Sequence, residues 1–298
     1  MLVSDPKSEL YCDTSELFRK NGYEVKVFNL VDPRHSDTWN CISDIENDTL
    51  MAQVLTNVII GNTSQGKGDH FWDNGETNLV KALVLYVALD DKRTPDQKNL
   101  WDVYQMLVNS SEKDLTNAFK RLPFGHPAKA PYNLFAQASD NVRSGILLGL
   151  DTRLQVLQNM EVARLISGSS IDLTAPGKRK CAYFIILSDQ ETSMAFLSSL
   201  FFSFLFIKLT RFADCSPGGR CPVPVNLTSM NSITSEGSAV LRMALTLQDP
   251  SVSSDPGISG SHWQSRAWAS CRTGIPIISG QRSSATVIFS SCLAVPMM

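Results

Sequence analysis

The seven cysteines include no Cys-x-x-Cys pair, and the four histidines stand apart from them. That leaves no zinc site and no disulfide framework, and the odd count with irregular spacing points to a reducing, cytosolic environment. Neither sign of charge is in excess. With 27 basic against 29 acidic residues the net charge is −2, so the chain has no overall basic footprint for nucleic acid, and composition leaves the partner open. No apolar run reaches the roughly 20 residues of a membrane-spanning helix. The most apolar stretch, Met194 to Leu209, is closed by Lys208 and Arg211 and reads as a buried helix. The N-terminus, M-L-V-S-D-P-K, has no basic region ahead of an apolar one and is not a signal peptide. Lysine itself disappears after Ser229. What is there, 43% hydrophobic and 19% charged residues over 298 positions, is enough for one large α/β domain or two smaller ones.

The pattern alternates strands and helices. Leu2 to Ser4 and the alternating Tyr23 to Leu30 read as strands, joined by a short helix that Thr14 or Ser15 caps and Gly22 ends. Asn74 to Leu89 carries the helical period. Thr94-Pro95-Asp96-Gln97 is a capping-box helix start, and helical signals then run to about Ser167 over Leu100 to Leu107, Glu112 to Arg121 and Asn141 to Ile166. Cys181 to Leu187 returns as a buried strand. Asp189 caps the apolar helix, Pro217 to Gly219 turn, and P-V-P-V-N-L leads into one more strand. Strands alternating with helices predict a parallel, doubly wound sheet carrying an all-helical insertion. Beyond Thr228 no period of either kind is sustained, although Trp263, Trp268 and S-A-T-V-I-F-S-S-C-L-A-V are unlike a solvated tail.

Between Asn57 and Asn74 the chain nearly spells a phosphate loop, with Gly61, four residues, Gly66 and Lys67. Such a loop needs a Ser or Thr after the lysine for magnesium and a helix that begins there, so that backbone N–H groups meet the phosphate. Here Gly68 holds the hydroxyl position, Asp69 adds negative charge, and the helix is expected only from about Asn74. A solvent-exposed connector is the better reading. His35, His70 and His126 fall in loops without partner spacing. Tyr132, Phe135 and the leucines near Leu147 read as helical core, and Arg143, Arg153 and Arg164 as a solvated face alternating with carboxylates rather than a DNA contact.

Several motifs occur in one order: D-P-K-S-E-L-Y from Asp5, G-Y-E-V-K-V-F-N-L-V-D-P from Gly22, S-D-T-W-N from Ser36, F-W-D-N-G-E from Phe71, then A-Y-F-I-I-L-S-D, F-L-S-S-L-F-F-S and P-V-P-V. Over residues 1 to 228 the chain resembles the TraG-like conjugative coupling proteins of type IV secretion systems. The resemblance implies an incomplete RecA-like sheet of the P-loop NTPase superfamily, with residues 1–94 and 168–228 in the nucleotide-binding domain and 95–167 as the helical insertion. In the intact family it implies ATP and magnesium as cofactors, a membrane-anchored ring on the cytoplasmic face, and delivery of relaxase-bound single-stranded DNA to the secretion channel. Asp5, Lys7 and Glu9 fall at the periphery of the family's nucleotide site, or else form a strand-to-helix turn with a solvated ion pair. The family's phosphate loop lies upstream of the D-P-K-G-E-L-type motif, at which this chain begins, so both that loop and the anchor are expected to be missing. No catalytic or metal residue is assigned, and the chain is expected to be inactive. Two other classes remain open: a non-catalytic module docking relaxase or secretion machinery, and a small NTPase using Gly61, Gly66 and Lys67.

A magnesium-binding D-E-F strand should follow P-V-P-V-N-L, but T-S-M-N-S-I-T-S-E-G stands there. Read from the third base of each codon, Ser229 to Glu236 permits D-E-F-N-N-I-G, and the same phase keeps giving family-like strings to the C-terminus. Residues 229–298 are therefore expected to be an irregular, out-of-frame tail.

Overall fold

The computed structural model describes residues 1–45, 48–63, 70–187, 193–229 and 288–289. β1 (Leu2–Ser4), β2 (Glu24–Asn29), β3 (Cys181–Ile186), β4 (Asn226–Ser229) and β5 (Ile288–Phe289) form one parallel sheet in the order β2-β3-β1-β4-β5. Leu2 lies opposite Tyr183 on one side and Leu227 on the other, and β2 runs beside β3 from Glu24/Cys181 to Asn29/Ile186. The two-residue period decides which face each side chain takes. Val3, Ala182 and Phe184 pack with Leu10, Tyr11, Phe18 and Tyr23 around α1 (Glu9–Lys20). Leu2, Phe28, Tyr183 and Ile185 turn the other way, into the core shared with α10 (Ala195–Asp214). With both faces covered, all six residues of β3 are buried, as the unbroken run C-A-Y-F-I-I requires.

The S-D-T-W-N motif closes the outer edge of β2. Asp37 N donates to Val27 O (2.8 Å), Val27 N to Asp37 Oδ2 (3.0 Å) and Asn29 N to Ser36 Oγ (2.8 Å), so the edge is satisfied without another strand. Trp39 then drops into the core against Phe28, Phe201 and Phe204. Asn40, also buried, donates from Nδ2 to Lys98 O and accepts from Ile42 N, fixing the turn that leads away from the sheet.

The helical layer comprises α2 (Leu50–Thr63), α3 (His70–Ala88), α4 (Leu100–Asn109), α5 (Glu112–Arg121), α6 (Lys129–Ala136), α7 (Asp140–Leu154) and α8 (Met160–Ser167); the one-turn α9 (Ala175–Lys178) leads back to β3. α3 packs against α2, α4, α6 and α7, and α10 lies on α2, so sheet and helices share one continuous core.

Several expected boundaries move, each for a local reason. α1 starts at Glu9 rather than at a Thr14 or Ser15 cap, and Thr14 Oγ1 instead bonds back to Leu10 O within the helix. The capping box at Thr94 and Gln97 forms, yet it opens only the single 3-10 turn Pro95–Gln97; α4 begins after its own cap, Asn99, which accepts from Asp102 N. The stretch Asn141 to Ile166 is split by a 3-10 turn at Gln155–Gln158, and Asn159 restarts the chain as α8 by accepting from Glu161 N. Asp189 and nearly all of the expected irregular tail lie outside the described residues. Of that tail, Ile288–Phe289 pairs with β4.

Candidate functional site

β1 connects through α1 to β2, on one side of the sheet, whereas β3 connects through α10 to β4, on the other side of β1. Adjacent strands whose following helices leave on opposite faces open a crevice beyond their carboxyl ends, and in open α/β sheets ligands bind there. Asp5 stands at this switch point. It follows β1 directly, its N–H donates to Ile185 O of β3 (2.9 Å), and it is fully buried. Its Oδ2 accepts from Tyr11 N (2.8 Å), the third residue of α1. The residue at the cap position, Ser8, makes no side-chain cap bond, so the Asp5 carboxylate supplies the missing acceptor at the positive end of the helix. Oδ1 is buried without a hydrogen-bond partner. One oxygen thus holds the helix and the other remains able to accept a donor or a cation.

Lys7 and Glu9, expected to flank the same site, are exposed, and among the described residues no ion pair joins them. Of the three side chains only that of Asp5 is buried. Ser8 has φ 61°, a left-handed conformation that costs a residue with a Cβ roughly 1–2 kcal/mol, partly offset for glycine by its greater freedom in the unfolded chain. Ser8→Gly, which restores the glycine of the D-P-K-G-E-L form, is therefore expected to stabilise the chain by up to about 1 kcal/mol in urea denaturation.

Of the near phosphate loop the structure describes only residues 61–63. Gly61 to Thr63 are the last turn of α2, with Asn62 Nδ2 on Val58 O and Thr63 Oγ1 on Ile59 O. A helix C-terminus presents carbonyls, the wrong pole for phosphate. Those carbonyls already face a cation: Arg153 Nη1 lies 3.1 Å from Thr63 Oγ1 and 3.5 Å from Ile60 O. Gly61 is thus exposed, but in the last turn of a helix rather than in a connector, and α3 starts at His70 rather than near Asn74. The apolar period of Val54, Leu55, Val58 and Ile59 carries the helix through a glycine whose Cβ would meet nothing. Gly66 and Lys67 lie outside the described residues, as does the side chain of His70.

The F-W-D-N-G-E motif gains a physical meaning that sequence spacing could not supply. Asp73 and Glu76, one turn apart on α3, both bind Arg153 of α7, at 2.6 Å from Asp73 Oδ1 and 2.5 Å from Glu76 Oε2. Burial pushes the Glu76 carboxyl above its ordinary value, and Arg153 works against that shift. Gly149 lets α7 come this close, since a Cβ there would collide with Glu76 Oε1. Arg143 is likewise paired, with Glu112 and Asp140, so neither arginine belongs to a solvated face. Arg164, half exposed, pairs with Glu161 at 3.7 Å and donates to Pro33 O. His35 is exposed on Asp32; His126 is partly buried and accepts from Ala128 N at Nδ1. Tyr132 and Phe135 are core, as expected. Among the described residues no group of three His, Cys, Asp or Glu side chains is arranged to hold a metal ion.

A parallel sheet with this strand order, helices on both faces and a buried carboxylate at the switch point is a doubly wound α/β fold, similar to that of plasmid coupling protein TrwB. The sequence profile described as "Type IV secretory system Conjugative DNA transfer" matches residues 1–222, and the chain belongs to that family. Three solved structures are similar in fold. Plasmid coupling protein TrwB in complex with the non-hydrolysable GTP analogue GDPNP has 13% identity and a TM-score of 0.52, over 82% of this chain and 59% of that one. The unbound monoclinic form of the bacterial conjugative coupling protein TrwBdeltaN70 has 14% identity and a TM-score of 0.52, over 82% and 58%. TrwB with the ATP analogue ADPNP has 13% identity and a TM-score of 0.51, over 83% and 60%. This chain therefore spans about three fifths of the coupling-protein structures it matches. No curated protein matches it by sequence.

Proposed function

We propose that the chain is a piece of a conjugative coupling protein, whose intact form uses ATP and magnesium to drive relaxase-bound single-stranded DNA into a type IV secretion channel. The observation that carries the reading is the switch point at β1 and β3, with Asp5 beneath it, in a chain whose family is conjugative DNA transfer. Residues 1–94 and 168–228 would form the nucleotide-binding domain and 95–167 its helical insertion, with 229–298 read out of frame; the family match ending at residue 222 supports that last boundary. In the intact protein, a ring at the cytoplasmic face of the membrane is the expected setting. Among the described residues only α10 is long and apolar enough to cross a membrane, and half of its apolar window is buried in the fold.

This chain itself hydrolyses no nucleotide, because phosphoryl transfer needs phosphate cradling, magnesium and a placed water together. Gly61, the first glycine of the sequence candidate, lies in the last turn of a helix, the wrong pole for phosphate. Binding is the property left to it. Steady-state phosphate release with magnesium-ATP and single-stranded DNA is expected to stay at the buffer level, while a relaxase–DNA complex is retained by the chain. Release that Lys67→Ala abolishes would move catalysis to Gly61, Gly66 and Lys67 and overturn this reading.

A further inference from the structure

Arg143, Arg153 and Arg164, the cations the sequence offers most readily to nucleic acid, are all engaged with carboxylates. Lys120 and Arg121, which close α5, and Lys129, which opens α6, have no ion-pair partner among the described residues. Between them the chain makes the tip L-P-F-G-H-P, and Phe124 at its apex is completely exposed, at 104%. Large apolar side chains that stand singly on a surface need no explanation, but this one is presented by a built turn. His126 N donates to Pro123 O (3.3 Å), and Gly125 at φ 82° occupies the third position, which favours glycine. Lys129 N donates to His126 O and Ala128 N to His126 Nδ1, tying the tip to α6. Beneath it Phe119 of α5 stacks on Tyr132 of α6, centroids 4.0 Å apart and planes within 5°. The aromatic face is therefore held out before any ligand arrives, and little order is lost on binding.

The opposing charges are few. Asp90 and Asp91 lie within electrostatic reach of His126, and Asp90 is paired with Arg93. Glu112 is held by Arg143, and Asp114 by the Ser111 cap. That leaves, among the described residues, three cations without an ion-pair partner in the helix ends that flank the exposed ring, and Asp91 within electrostatic reach of His126. A protein contact of this size would want an apolar surround to exclude water from the ring, and the chain flanking it carries Lys120, Arg121 and Lys129 instead. A duplex hides its base faces. A single strand offers both unstacked bases for the ring and phosphates for the cations.

We propose that the Phe124 turn is a stacking contact for single-stranded nucleic acid, with Lys120, Arg121 and Lys129 on the adjoining phosphates. The choice of single strand rests on the DNA-transfer reading above; the site rests on the geometry of the turn. The test titrates the whole chain into a fluorescein-labelled oligothymidylate and follows anisotropy over a range of salt. Phe124→Ala is expected to weaken binding about tenfold, as loss of one stacked base does. Phe124→Trp is expected to retain binding, with its added indole emission quenched by the stacked base. Lys120→Ala and Arg121→Ala are each expected to take about 0.7 from the slope of log affinity against log salt. Phe124 packs against nothing, so its variants keep the fold. Binding unchanged in Phe124→Ala, an unquenched indole, or duplex of equal length competing as well as the single strand would overturn the site while leaving the DNA-transfer reading intact. No binding of the oligonucleotide at all would remove both.

Discussion

Arg153→Ala is expected to destabilise the chain by about 3–5 kcal/mol, the cost of breaking a buried ion pair by removing one partner. Arg153 joins three elements: its guanidinium reaches Asp73 and Glu76 on α3 and Thr63 with Ile60 O at the end of α2, while its own backbone is in α7. Its side chain is 16% exposed and that of Glu76 5%, so water replaces little of what is lost. Without the arginine, two carboxylates face one another across one helical turn, the end carbonyls of α2 lose their cation, and Gly149 holds α7 close against a charge with no counterion. The pH dependence has a definite sign. A carboxyl whose folded value is raised contributes stability that is full below the unfolded value, 4.5 for Glu76, and is lost as pH rises through the folded value. Arg153 opposes that rise, so removing it enlarges the loss on the alkaline side. The deficit of Arg153→Ala should accordingly be smaller at about pH 4 than at about pH 7 in urea denaturation, and Glu76→Gln in the same chain should recover part of it at neutral pH. Equal deficits at both pH values, with no recovery by Glu76→Gln, would show that the three charges do not act as a unit.

Most of the sheet could be read before it was seen, because strands buried on both faces announce themselves as apolar runs: Leu2 to Ser4 and Cys181 to Ile186 are where the pattern placed them. Helix extents were legible in places too, as at Glu112 to Arg121, which α5 spans as expected. What escaped was set by partners distant in the chain or in space. α1 begins early because Asp5, outside the helix, caps it, and nothing in the spacing of Thr14 and Ser15 reveals this. Asp73, Glu76 and Arg153 are separated by about 80 residues, so a motif could be recognised without its function as a clamp between helices. The near phosphate loop misled for a different reason. One glycine inside a helix costs only about 1 kcal/mol relative to alanine, and four apolar side chains on the buried face of α2 outweigh it. At the candidate site itself, the neighbours Lys7 and Glu9 made Asp5 look solvated, when of the three residues it alone is buried.

Phe201→Ala is expected to cost about 3–5 kcal/mol, and it separates the two readings of the long apolar helix α10. α10 satisfies the length and composition of a membrane span. In the fold its inward face, Leu197, Leu200, Phe201, Phe204 and Leu205, follows the helical period and is buried. Phe201 is wholly enclosed, stacked on Phe28 of β2 at 4.7 Å and meeting Trp39 edge-on at 5.2 Å. On the outward face Phe202 and Phe206 are only partly covered, Lys208 pairs with Asp44 at 2.6 Å, and Arg211 pairs with Asp48. A lipid-facing phenylalanine would leave urea unfolding of the purified chain nearly unchanged when truncated; an enclosed one leaves a cavity between α10 and the sheet. Phe202→Ala supplies the comparison, with an expected cost well below that of Phe201→Ala because its ring already meets solvent. Similar small losses at both positions would place α10 outside the core. The expected inequality would fix α10 against β2 and β3, and with it the crossing to β4 that creates the switch point above Asp5.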